Sequence, residues 1–179
     1  MKLRDALVLS TFLVVNAAAN AQVIDFRQLE LSLPQDSVID GYRRTKAGGE
    51  TAAMMGFSTS WAQVGYKADA ESSSSYISFR VSDMIHVSSF FILAMTGNVD
   101  KETKTGYERT VDYRGLKILE AYDSLSKSAK LEMPVAGRFL VQVAGNNISS
   151  IKTLYHFLEL SDIARLERVV SNSDQNRTK

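Results

Sequence analysis

Tyr107-Glu108-Arg109-Thr110-Val111-Asp112-Tyr113-Arg114-Gly115-Leu116-Lys117-Ile118-Leu119-Glu120-Ala121-Tyr122 is the stretch that decides the fold. Tyr107, Val111 and Tyr113 alternate with Glu108, Thr110 and Asp112, the period of a strand with one buried face. Arg114-Gly115 reads as a tight turn. Leu116 and Ile118 open a return strand that reaches about Tyr122. Strands joined by so short a turn are antiparallel neighbours.

The same pattern extends on both sides. Downstream, Ser124–Ser128 is polar and turn-like. Ala129, Leu131, Met133 and Val135 then alternate with Lys130 and Glu132, and Pro134 suggests a strand end or an edge. After Ala136-Gly137, Phe139, Val141 and Val143 alternate with Leu140, Gln142 and Ala144. Upstream, Ala62, Val64, Tyr66 and Ala68 form one strand, and Ile77, Phe79 and Val81 form another. The polar run Glu71–Ser75 connects them. Further upstream, Val23–Tyr42 shows only the alternation of Leu29, Leu31 and Leu33 before Pro34 breaks it, and supports no more than a short strand or turn. Gly41, Gly48 and Gly49 mark loops, and Arg43-Arg44 with Lys46 reads as a solvated turn.

Two helices are expected. Asp83 can cap the first, over about Met84–Met95. Its stripe of Val87, Phe90, Phe91 and Ala94 is widened by Ile92, Leu93 and Met95, so it should be deeply buried. Gly97 ends it, and Asp100–Thr105 follows as a charged loop. The second helix, capped by Ser149 or Ser150, carries Ile151, Leu154, Tyr155 and Leu158 at helical spacing. Ser161-Asp162 caps a further piece with Ile163, Leu166 and Val170 on one face. The expectation is an α+β domain: an antiparallel sheet of about six strands, order ββαββββα, with two main helices packed on it. One globular domain over residues 22–170 would end in a polar tail, 171–179.

The N-terminus reads as a secretory signal peptide over residues 1–21. Lys2 and Arg4 precede the apolar core Ala6–Val15, and Ala19-Asn20-Ala21 fits an A-x-A cleavage site. That core is about 10 residues, whereas a membrane span needs roughly 20. The expected product is exported, periplasmic or secreted, and starts near Gln22. No later segment is long and apolar enough to serve as a transmembrane anchor. The chain has no cysteine, which excludes disulfides, thiolate metal sites and a lipid anchor on cysteine. Loss of Lys2, Arg4 and Asp5 brings 21 basic and 20 acidic residues to a net charge of zero, which argues against nucleic-acid binding.

No reaction centre is legible. His86 and His156 are the only histidines, and neither is paired with a nucleophile by any motif. His86 reads as a buried helix residue and His156 as solvent-facing. Clustered metal ligands and glycine-rich phosphate loops are absent from the sequence, and no cofactor is implied. Glu108, Asp112 and Glu120 on neighbouring strands read as a solvent-facing row. The aromatics Trp61, Tyr66, Phe90, Phe91, Tyr107 and Tyr113 are the candidate interaction surface, set against their commoner role as core residues.

Gly49-Glu50-Thr51, Met54-Met55-Gly56-Phe57-Ser58, Gly106-Tyr107-Glu108-Arg109-Thr110 and Gly137-Arg138-Phe139-Leu140-Val141-Gln142-Val143 together resemble small exported bacterial domains of uncharacterised function. The layout is also similar to PsbP/Mog1-like sandwiches. The resemblance implies a fold and carries over no active residue. The functional expectation is a non-catalytic binding or accessory domain of the cell envelope, partnered by an envelope protein. Its alternative is a small-ligand carrier with a cavity between sheet and helix, and an enzyme is the weakest reading.

Overall fold

The computed structural model describes residues 23–54, 57–69, 74–85 and 97–175. The expected signal peptide, His86, Phe90, Phe91 and most of the expected apolar helix lie outside these residues. Among the described residues, ten strands build a single antiparallel sheet: β1 Val38–Ile39, β2 Tyr42–Arg44, β3 Gly48–Met54, β4 Phe57–Ala68, β5 Tyr76–Asp83, β6 Asp100–Glu102, β7 Gly106–Tyr113, β8 Leu116–Asp123, β9 Ser128–Val135 and β10 Phe139–Asn146. The helices among the described residues are α1 Phe26–Glu30, α2 Lys152–Glu159 and α3 Ile163–Gln175. The expected six-stranded α+β layout with two main helices is therefore corrected. The described residues are mostly sheet, and the helices among them are short.

The four additional strands lie where the sequence reads as loop or turn, or as no more than a short strand or turn. Strand order is β1-β2-β4-β5-β10-β9-β8-β7-β6, and β3 pairs with β4 beside β2. Along that edge, Arg44 pairs with Tyr66 and Gly48 with Gln63, so three residues, 45–47, face two, Val64 and Gly65. This is a β-bulge, and it lets one long strand carry two short partners. Edge strands pair on one side only, so they need no strict alternation. Arg43-Arg44 is strand rather than turn: Arg43 meets Asp69 at 2.8 Å and Arg44 donates to the Pro34 carbonyl. Asp100–Glu102, expected as loop, forms the opposite edge, exposed throughout.

One sheet face is buried. Val64, Phe79, Val143, Leu131, Glu120 and Arg109 form a continuous cross-strand row on it. The first four are core residues, at most 1% exposed. α1 and α2 pack on this face. Leu29 and Leu33, four residues apart, enter the core, while Leu31 is 49% exposed, so the segment follows helical rather than strand spacing. Phe157 of α2 sits edge-on to Tyr66 with ring centroids 4.8 Å apart. Gly145 leaves room for Ile148 and Leu154 at the point where α2 crosses β10.

Candidate ligand site between the sheet and the last helices

The β7–β8 hairpin closes through Arg114 (φ 53°) and Gly115 (φ 82°), both left-handed, as the two-residue turn of a twisted hairpin requires. That turn sets the register Arg109↔Glu120 and Tyr107↔Tyr122, with Tyr113 opposite Leu116. All six side chains lie on the helix-covered face by strand parity. Glu108 and Asp112 lie on the other face, where they pair with Lys101 (3.2 Å) and Lys117 (3.1 Å). Glu120 thus does not share their solvent-facing row. It is 3% exposed.

Both oxygens of Glu120 are engaged. Oε1 accepts from Arg109 Nε at 2.6 Å, and Oε2 accepts from the Tyr155 hydroxyl at 2.6 Å. The Arg109 guanidinium lies over the Tyr107 ring, 4.4 Å from its centroid. Burial, reinforced by the hydrogen bond to Glu120, pushes the Tyr155 phenol well above its ordinary range. Burial also raises Tyr107, with the Glu120 charge adding to it. The hydrogen bond to Glu120 raises Arg109 further. A carboxylate held this way fixes the strand–helix junction, because each oxygen ties down a different element.

Tyr155 also packs on Tyr113, with ring centroids 5.4 Å apart. Beyond Tyr113 opens a cavity of about 260 Å³. Met133 and Leu158 form its buried floor, with Leu116 and Ile163 half-buried beside them. Arg114, Asp162, Ala164 and Glu167 stand exposed at its rim. Asp162 also starts α3 by accepting the Arg165 N–H at 3.0 Å. The Tyr113 hydroxyl is buried and has no hydrogen-bond partner among the described residues. Arg44 Nη2 and Arg165 Nε share that condition, but neither residue lines the cavity. Burial raises the Tyr113 phenol against the opposing pull of Arg114, so it remains a proton donor.

A larger groove, about 400 Å³, lies on the opposite sheet face. Small Ala121 and Ala144 floor it between Lys101, Glu108, Lys130 and Asn146. Its lysines are already paired, Lys101 with Glu108 and Lys130 with Glu132, each at 3.2 Å. The smaller cavity is the better site. It combines a buried apolar floor with polar residues at its mouth, the combination that small-molecule pockets use.

The expected surface aromatics separate. Tyr107 and Tyr113 flank the Glu120 network and the cavity. Trp61 is half-buried on the opposite face under Arg80, at 4.3 Å. Tyr66 is fully buried, and its hydroxyl donates to the Pro34 and Asp36 carbonyls at 3.1 and 3.0 Å, so it presents no surface. His156 is 43% exposed, near Asp40 and Glu159. Asp83 does more than cap the following segment. It accepts the Ile85 and Ile24 N–H groups and is fully buried against Arg138 at 2.7 Å. Among the described residues there is no cluster of three or more potential metal ligands and no helix long and apolar enough to cross a membrane.

No family model, curated protein or solved structure matches the chain.

Proposed function

We propose that this chain is an exported, non-catalytic binding domain that carries a small molecule between its sheet and its last helices. The observation that carries this reading is the 260 Å³ cavity itself, floored by the apolar side chains of Met133, Leu158, Leu116 and Ile163. The volume lies just under the roughly 300–1,000 Å³ of typical small-molecule sites, so the ligand is small. The buried carboxylates, Glu120 and Asp83, are committed to holding strands and helices together. The exported address rests on residues 1–21 of the sequence.

The test is native mass spectrometry of the full chain expressed with its N-terminus in a bacterial host. A periplasmic product starting at Gln22 supports export, and an uncleaved cytosolic chain contradicts it. A non-covalent adduct present on the parent protein and lost in Ala164→Trp, where an indole would stand at the cavity rim, supports the carrier. A bare mass, with no thermal shift from a panel of small uncharged molecules, contradicts it.

A further inference from the structure

We propose, resting on the reading of this cavity as the binding site, that the buried part of its ligand is plain hydrocarbon about one ring in size, and that Met133 sets that limit. The polar side chains of the lining are committed within the protein. The Ser161 hydroxyl has one proton and donates it to the Leu158 carbonyl at 2.6 Å. Asp162 accepts the Arg165 N–H and the Arg168 guanidinium, each at 3.0 Å. Arg114 turns to Glu159 at 3.6 Å and lies over the Tyr113 ring. The Tyr113 hydroxyl is buried, with almost no surface that a molecule in the cavity could touch. Glu167 is exposed at the rim and stays in water.

The floor of Met133, Leu158, Leu116 and Ile163 therefore gives a ligand dispersion and burial. A polar group pressed onto that floor would lose water and gain no partner in return, so any polar group of the ligand stays at the mouth. Size follows from volume. A dry cavity of roughly 150 Å³ lined by aliphatic and aromatic side chains takes up benzene, so 260 Å³ holds one ring with its substituents. Met133 closes the bottom. At 1% it is the least exposed residue of the lining, and its unbranched thioether fills the space beneath the floor. Shortening it deepens the cavity from below and leaves the rim as it is.

Three probes test both parts: toluene, phenol and naphthalene, each titrated into the full chain and followed by amide chemical shifts. Phenol carries a hydroxyl where toluene has a methyl group. That hydroxyl either stays at the mouth and forfeits burial or enters without a partner, so phenol should bind at least about fourfold more weakly. In Met133→Ala the affinity for naphthalene relative to toluene should rise about fourfold or more over the parent, the worth of one further buried methylene-sized group. Met133→Val, a milder truncation, should show a smaller rise in the same direction, and Met133→Leu, of similar volume, should keep the parent ratio. Toluene binding reports that each variant is folded. Phenol binding as tightly as toluene, or tighter, overturns the hydrocarbon class. A ratio unchanged in both truncations overturns the role of Met133. Either result leaves the cavity reading standing. No shift at any lining residue with any probe overturns the cavity reading, and the proposal with it.

Discussion

Deleting one oxygen from either of two neighbouring rings should have different consequences. Tyr113 and Tyr155 lie 5.4 Å apart, yet their hydroxyls are used differently. The Tyr155 hydroxyl donates at 2.6 Å to a carboxylate only 3% exposed. Tyr155→Phe leaves Glu120 Oε2 without that donor, while Oε1 keeps Arg109. A hydrogen bond to a charged group is worth about 1.5–3 kcal/mol, and its loss here should lower Tm by about 2–4 °C per kcal/mol. Tyr113→Phe removes a hydroxyl that has no protein partner, so it should be neutral or stabilising by up to about 1 kcal/mol. Urea unfolding at pH 7, followed by circular dichroism, gives both values, provided the m-value is unchanged. The reasoning is refuted if Tyr113→Phe costs as much as Tyr155→Phe, or if Tyr155→Phe costs nothing.

The buried Asp83–Arg138 pair supplies a second case. Asp83→Ala takes the counter-charge from Arg138 and the acceptor from the Ile24 N–H, so denaturant unfolding should show a loss of about 3–5 kcal/mol. Alkaline pH supplies a third. Tyr66, Tyr107, Tyr113 and Tyr155 all have raised folded-state values, mainly through burial. Their contribution is fully present below the unfolded phenol value of about 10 and is lost as pH rises through the folded values. The urea midpoint should hold through pH 9 and fall above about pH 10, less steeply in Tyr155→Phe. Gly106→Ala would set a methyl group against the Tyr122 carbonyl, which is backbone and cannot turn aside, so a cost of about 1–3 kcal/mol in thermal unfolding is expected.

Strands that lie between two neighbours and bury one face were legible in the sequence, because burial imposes a period of two on Ile77–Val81 and on Ala129–Val135. Edge strands were not. Gly48–Met54 and Asp100–Glu102 pair through backbone on one side and bury little, so their side chains carry no such period. Glu120 was the informative miss. Its parity with Leu116, Ile118 and Tyr122 already put it on the inner face, and Arg109 shares the parity of Tyr107 and Val111. A charge pattern suggested solvent where alternation pointed to burial. Tyr155 lay on the expected helix stripe, but nothing in the spacing shows that its hydroxyl would reach a carboxylate 35 positions away in sequence. No residue pattern in the sequence marks the lining of the cavity. Its walls come from the β7–β8 turn, β9 and the α2–α3 junction, which only the tertiary fold brings together.

The central claim is that a small molecule sits on the apolar floor of this cavity. Intermolecular nuclear Overhauser effects between toluene and the methyl groups of the full chain test it most directly. The account predicts cross-peaks to Met133, Leu158 and Ile163. Cross-peaks confined to Ala121 and Ala144 in the groove on the opposite face, or none to any methyl group, would contradict it.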